Sequence, residues 1–414
     1  MNLREDMKNT LCLLMAGGRG ERLYPLTREM AKPSVRFGGI YRIVDFTLSN
    51  CLNSDIRRIY VLTQYRSVSL DRHISRGWSI FNPELGEFIE CVPPQQRHVD
   101  RWYRGTADSI FQNIHILQSE RPERVLILSG DHIYKMDFND MLASHMEKNA
   151  HLTVAGVEVD RSEASALGVI GCDENFRITD WDEKPADPKP VPGKPDKSFV
   201  SMGVYIFNTD VLVKGVIADA KTSTSSHDFG KDVVPGMVEN HRVFVHNFKE
   251  PTDAQSHYWR DVGTLDAYWE ANMDLVSVTP QLNLYEEQWP VRTYQKQVPP
   301  AKTVFAGGED EAGARVGTVL DSLIAGGCIV SGGKVQNSVL SYNVRINSFS
   351  VVEQSVLLDG VDVGRHARIR KAIIDEQVSI PDGFTVGYDH EEDSKRFSIS
   401  PGGVVIVPHG ISLK

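Results

Sequence analysis

Several signatures that would settle a function at sight are missing from this chain. Its five cysteines, Cys12, Cys51, Cys91, Cys172 and Cys328, are odd in number, scattered and never spaced CxxC. That excludes a disulfide framework and the common structural zinc patterns, and it reads as a reduced, cytoplasmic protein. Thirteen histidines form no HExxH or other ligand cluster. The apolar run after the charged start MNLREDMKNT is far too short for a signal or membrane segment. A positive balance is missing too: 45 Lys and Arg stand against 55 Asp and Glu, a net charge of −10, which argues against a nucleic-acid binder that works by counterion release. Both common phosphate loops are also absent, GxxxxGK(S/T) and GxGxxG.

What is present is concentrated near the start. Residues 14–33 read LMAGGRGERLYPLTREMAKP. The apolar run Leu11, Leu13, Leu14, Met15 is short enough to be a buried strand. Gly17, Gly18 and Gly20 follow it, with Arg19 and Arg22 among them. Without a Cβ, successive backbone N–H groups can approach a ligand closely and form a concave anion site. A protein of net negative charge that handles nucleotides must concentrate its cations locally, and Arg19, Arg22, Arg28, Lys32, Arg36 and Arg42 do so here. The expected ligand is a polyanion, most simply a nucleoside triphosphate.

At 414 residues the chain should hold two domains. Residues 1–279 alternate short apolar runs (Leu11–Met15, Ile59–Thr63, Val125–Ser129, Thr153–Val157, Ser201–Phe207) with helical patterns such as Thr106–Gln118, for which Thr106 is a natural cap. This alternation predicts a doubly wound, mostly parallel α/β sheet that binds ligands beyond the carboxyl ends of its strands. The segment 280–302, with Pro290, Pro299 and Pro300 and no periodicity, reads as a linker. In 303–414, Val351, Leu357, Val363 and Ile369, then Ile374, Ile380 and Val386, recur every six residues, and glycines such as Gly327, Gly332 and Gly360 punctuate the turns. A six-residue period predicts a parallel β-helix.

The glycine loop with its following Arg22-Leu23, Pro25-Leu26-Thr27 and Ala31-Lys32-Pro33 resembles the sugar-phosphate nucleotidyltransferases. Further strings match in order: Trp102–Asp108 (WYRGTAD), Ser129–Tyr134 (SGDHIY), Glu183-Lys184-Pro185, Ser201–Tyr205 (SMGVY), Ser226–Asp232 (SHDFGKD) and Tyr258–Thr264 (YWRDVGT). With the hexapeptide tail they resemble the bacterial glucose-1-phosphate adenylyltransferases over nearly the whole chain. The resemblance implies a left-handed β-helix used in assembly and regulation, a homotetramer, and Mg2+ as cofactor. It implies ATP and α-glucose 1-phosphate as substrates, ADP-glucose and pyrophosphate as products, and a role in glycogen-type synthesis.

On the same resemblance Arg19, Lys32 and Asp131 are the catalytic residues, and Asp131 with Asp261 holds the metal. Tyr103, Gly168, Glu183, Lys184 and Ser201 take glucose 1-phosphate. Gly17, Gly18, Gly20, Gln64 and Gly105 take the nucleotide. Small anionic effectors are expected, with Arg36, Arg42, Arg368 and Arg370 as candidates. One departure bears on the effector: Glu29-Met30 stands where enteric relatives carry a basic pair linked to fructose 1,6-bisphosphate, and an acidic residue repels a bisphosphate. Two other readings stay open at this point. One is the same fold acting on another nucleotide, as a thymidylyl- or uridylyltransferase. The other is a catalytically silent regulatory subunit, against which stand Arg19, Lys32, Asp131 and Lys184. A bare β-helix scaffold or acyltransferase leaves the first 275 or so residues unexplained.

Overall fold

The structure is a computed structural model that describes residues 3–95, 102–165, 167–252, 258–305 and 315–413. The chain divides into two compact units. Met1–Gly18, Phe46–Trp259 and Glu287–Val291 form one; Arg19–Asp45, Arg260–Glu286 and Arg292–Lys414 form the other.

The first unit is organised by a nine-stranded mixed sheet. Its strands are β1 (Leu11–Ala16), β2 (Arg58–Thr63), β3 (Phe88–Val92), β4 (Arg124–Ser129), β5 (Leu152–Asp160), β6 (Gly168–Cys172), β7 (Ile178–Glu183), β8 (Lys197–Asn208) and β9 (Val243–Asn247). The main path runs β7-β6-β8-β4-β1-β2-β3, with β5 on β8 and β9 on β5. The four strands β4-β1-β2-β3 are parallel, as the strand–helix alternation predicts. The other half departs from it: β8 runs antiparallel to β4, β5 and β6, and β7 returns as a hairpin on β6. All of β1 except Met15 is buried, as a central strand covered on both faces requires.

Two local expectations are corrected. The helix expected over 106–118 is two, α1 (Thr106–Gln112) and α2 (Ile114–Glu120). They break at Asn113, whose side-chain amide donates to the Ser109 carbonyl at 2.8 Å and to the Tyr103 hydroxyl at 2.9 Å. Asn competes with the helix backbone in this way, which makes it a poor interior residue. Thr106 is not the cap but the first helical residue after Gly105; its hydroxyl donates to Asp228 and accepts from the Phe229 N–H.

In the second unit three sheets of parallel strands, one of them ended by the antiparallel strand Ser398–Ile399, make the arrangement of a left-handed β-helix. Val335, Val352, Ile369 and Val386 are in register in one sheet, Leu340, Leu357 and Ile374 in the next, and Ile346, Val363 and Ile380 in the third. All ten are buried. The apolar series is therefore 346, 352, 357, 363, 369, 374, 380, 386: two steps of six and one of five per coil. At its start the inward residue is Val352, not the expected Val351, which is only half-buried. The coil corners take left-handed backbone at residues such as Asn337, Asn343 and Gln377, and at Gly387 (φ 80°), where any Cβ would lie 1.7 Å from the Arg370 carbonyl oxygen.

The same unit holds residues 19–45 by polar contacts. The Tyr268 hydroxyl donates to the Arg36 carbonyl at 2.5 Å, and Asn272 accepts from the Gly38 N–H at 3.0 Å. Arg36, with its side chain 6% exposed, pairs with Asp359 at 2.8 Å, and Lys296 donates to the same carboxylate. No described helix is long and apolar enough to cross a membrane.

Candidate active site

Several candidate residues of the first unit lie where strands end. β1 runs into Gly17 and Gly18. A Cβ on Gly17 would sit 3.0 Å from that of Gln64, while Gly18 has open space around it. β4 runs into Gly130, whose N–H donates to the Met15 carbonyl at 3.0 Å; a side chain there would strike Leu14 at 2.6 Å. Glycine thus lets the two strand ends lie side by side and delivers Asp131 just beyond them. The Ser129 hydroxyl donates to the Asp131 carboxylate, and His132 Nε2 stands 3.5 Å from it. His132 in turn packs edge-on to Trp259, with ring centroids 5.1 Å apart. Asp131 is therefore an oriented, half-buried carboxylate, a hard oxygen donor of the kind that suits Mg2+.

Gln64 follows β2, and its amide is engaged with the Tyr103 backbone: Tyr103 N–H donates to Oε1 at 2.8 Å, and Nε2 to the Tyr103 carbonyl at 3.4 Å. Burial pushes the Tyr103 phenol above its ordinary pKa. Gly105 lies against the SHDFGKD segment; a Cβ there would sit 2.3 Å from the His227 carbonyl oxygen.

The β6–β7 register sets Gly168 directly opposite Glu183, and a Cβ on Gly168 would sit 3.1 Å from Glu183 Oε2. Lys184 is next, in left-handed backbone at φ 54°, with its N–H on the Leu167 carbonyl at 3.0 Å. Glu183 and Lys184 are both exposed at this strand end. Ser201 sits where β8 shifts register, with Gly203 N–H donating to its hydroxyl at 3.3 Å. The bulge turns the strand and re-aims its side chains.

In the second unit Lys32 is buried, with its side chain 6% exposed, and Nζ donates to Asp261 Oδ1 at 2.7 Å. Arg22 reaches the other carboxylate oxygen of Asp261 at 3.6 Å. Gly263 makes room for this arrangement, because a Cβ there would meet both Asp261 oxygens at 3.0 Å and Arg22 at 2.8 Å. Gly20 takes φ 64° and would press a Cβ to 2.8 Å from that of Lys32; its carbonyl accepts from Thr27 at 2.9 Å. Arg19 is 70% exposed and 3.7 Å from Glu21.

Of the four arginines considered for effectors, Arg36 is engaged by Asp359. Arg42 donates to the Ser34 carbonyl at 2.8 Å, and burial with the neighbouring Arg36 charge pulls its pKa down to about 10. Arg368 and Arg370 are exposed on one strand two residues apart, with Arg368 over the Tyr388 ring at 4.3 Å. Arg22 as a partner of Asp261, and Asn113 as a partner of Tyr103, went unassigned at the level of sequence. Arg22 stood inside the glycine loop and could have been found; Asn113 carries no local signal.

A nucleotidyl transferase family model matches residues 11–278, and a GlmU-like C-terminal hexapeptide model matches 299–407. Among similar proteins, "Glucose-1-phosphate adenylyltransferase" of Methylobacillus flagellatus is 52% identical over 97% of this chain and 93% of its own length. The protein of the same name from Koribacter versatilis is 52% identical over 98% and 97%. The chain belongs to the glucose-1-phosphate adenylyltransferase family. "Glucose-1-phosphate adenylyltransferase 2" of Vibrio cholerae, 52% identical over 97% of this chain and 98% of its own, is a further member. Membership runs through both halves, since the two models and these relatives span the glycine loop, the strand ends and the coils alike.

Proposed function

We propose that this chain transfers AMP from ATP to α-glucose 1-phosphate, releasing pyrophosphate and forming ADP-glucose, the activated donor for glycogen-type synthesis. The observation that carries the reading is the end of the β6–β7 hairpin. An exposed carboxylate, Glu183, and an exposed cation, Lys184, stand side by side across from Gly168, matching the hydroxyls and the phosphate of one sugar phosphate. Ser201 adds a hydroxyl, and Tyr103 an apolar ring with a polar tip.

The reaction joins two polyanions, so charge neutralisation and alignment dominate it. Arg19 and Lys32 bear on the β- and γ-phosphates, and Gly17, Gly18, Gly20, Gln64 and Gly105 form the nucleotide side. Lys184 holds the sugar phosphate by a point-charge contact while one of its oxygens attacks the α-phosphorus in line. The charge of Lys32, held in place by Asp261, needs no reorganisation as pyrophosphate leaves. A divalent cation fits the hard carboxylate donors; in this reading it is Mg2+, which Asp131 and Asp261 would hold and which would supply counter-charge to the phosphates. No protein nucleophile is required.

Regulation by a small anion falls to Arg368 and Arg370, which remain exposed. Fructose 1,6-bisphosphate is not expected to activate. Glu29 stands where a bisphosphate-binding cation would be needed, and it lines, with Arg28, Asp375, Glu376 and His409, a cavity of about 400 Å³ in the second unit. A homotetramer in the cytoplasm completes the reading.

The deciding experiment is pyrophosphate release with glucose 1-phosphate and Mg2+, comparing ATP, UTP, dTTP and GTP. Strong preference for ATP is expected. Preference for a pyrimidine triphosphate would keep the fold and move the chain to another substrate class. Silence with every nucleotide would point to a regulatory subunit.

A further inference from the structure

The SHDFGKD segment contains a buried arrangement that the reaction chemistry leaves unused. His227 is 2% exposed and stands in left-handed backbone, φ 59°, an unfavourable conformation for a residue with a Cβ. Its Nδ1 meets Asp219 Oδ2 at 2.7 Å. The other oxygen of Asp219 accepts from the Ser225 hydroxyl at 2.5 Å, and that hydroxyl accepts the His227 N–H at 2.9 Å. Residue types suggest a hydrolytic triad, but the connections exclude one. Ser225 bonds the carboxylate and a backbone N–H, never the imidazole, and its proton is already given to Asp219.

The output of this arrangement is a pair of carbonyl groups. The His227 carbonyl accepts from the Ala107 N–H at 2.8 Å, in the first turn of α1. The Ser226 and His227 oxygens lie 2.6 and 2.3 Å from where a Cβ of Gly105 would be, so the backbone of Gly105 is seated directly on them. One residue on, Thr106 is tied to Asp228 and Phe229 at 3.1 and 2.9 Å. The left-handed peptide at His227 is therefore bonded and packed directly against Gly105–Ala107.

We propose that Asp219 and His227 are positioning residues: their side-chain pair holds the left-handed turn that seats the Gly105 edge of the nucleotide pocket. The proposal rests on the reading of Gly105 as a nucleotide-facing residue. Asp219, at the end of the helix Thr209–Ala220, supplies a fixed anchor. Glycine adopts the same backbone without help, so the pair is needed only because residue 227 carries a side chain.

The test compares His227→Ala, His227→Gly and Asp219→Asn, each checked for folding by circular dichroism, reading kcat and the KM for ATP. His227→Ala is expected to raise that KM about tenfold with a smaller change in kcat, the equivalent of losing one strained conformation. His227→Gly should recover most of the loss, although glycine ordinarily destabilises more than alanine. Adding Asp219→Asn to His227→Gly should then raise the KM no further. Equal effects of Ala and Gly, or a full additional effect of Asp219→Asn in the Gly background, would overturn the proposal. Gly105→Ala separates the two ideas. If it leaves the KM for ATP unchanged, the assignment of Gly105 fails. If it raises the KM while folded His227→Ala does not, only the positioning role fails.

Discussion

The parallel half of the sheet and the coils both bury parallel strands, yet they use them to opposite ends. In the sheet, β1 and β4 bury apolar side chains along their length and then stop, placing Gly17, Gly18 and Asp131 at the strand ends where ligand binding is proposed. In the coils the described strands repeat a buried layer instead. Ile346, Val352, Leu357 and their successors each fill one layer, and the next coil repeats the layer. Polar residues at the sheet's strand ends are thus free to be chosen for chemistry, whereas residues at coil corners are chosen for backbone shape. The difference teaches where substitution costs activity and where it costs stability.

The largest expected effect lies at a strand end. Asp131→Asn should lower turnover roughly 10³-fold, about 4 kcal/mol of transition-state stabilisation, with an unchanged melting temperature. Normal turnover with intact metal dependence would remove Asp131 from the mechanism. The mirror case is Gly387→Ala at a coil corner. The Cβ would overlap the Arg370 carbonyl at 1.7 Å in left-handed backbone, so a loss of about 3 kcal/mol or more in stability is expected. Specific activity per folded molecule should be preserved; urea unfolding of the variant measures the first and titrated active sites the second.

A smaller effect separates substrates. Lys184→Ala removes one charged contact, about 1.5–3 kcal/mol, and should raise the glucose 1-phosphate KM roughly 10- to 100-fold while the KM for ATP holds. An unmoved sugar-phosphate KM would withdraw that assignment.

The mildest prediction concerns pH. Burial lowers His145 and His246 of the sheet unit to about 4. Their unfolded forms bind protons first, so stability is present above the ordinary histidine pKa and is lost as pH falls from about 6.5 to 4. Burial raises Asp375 and Glu376 of the coil unit. Their contribution is present below the ordinary carboxylate pKa and is lost as pH rises through the raised values. Segment-resolved hydrogen exchange at pH 7 and pH 5 should show the sheet weakening relative to the coils on acidification. A uniform change would erase the contrast.

Much of this was legible because short periods are local. The apolar runs at Leu11, Ile59 and Val125 are strands, and the six-residue step found the coils. Where two periods compete, sequence reading slips: a coil of six, six and five residues moved the first inward position from Val351 to Val352. It slips again where a side chain acts through partners, as Asn113 does in breaking a helix and Thr106 in bonding Asp228 instead of capping.

Sequence alone determined the strand cores, the near-six-residue step of the coils, the glycine-rich loop after β1 and the set of charged residues near it. These follow from hydrophobic spacing and from glycine's missing Cβ, which act over a few residues. Only the tertiary structure decided which charges are already engaged. Lys32 meets Asp261 across 229 residues and Arg36 meets Asp359 across 323. A buried charge must find a partner, but the partner is named by the three-dimensional path of the chain and not by its order.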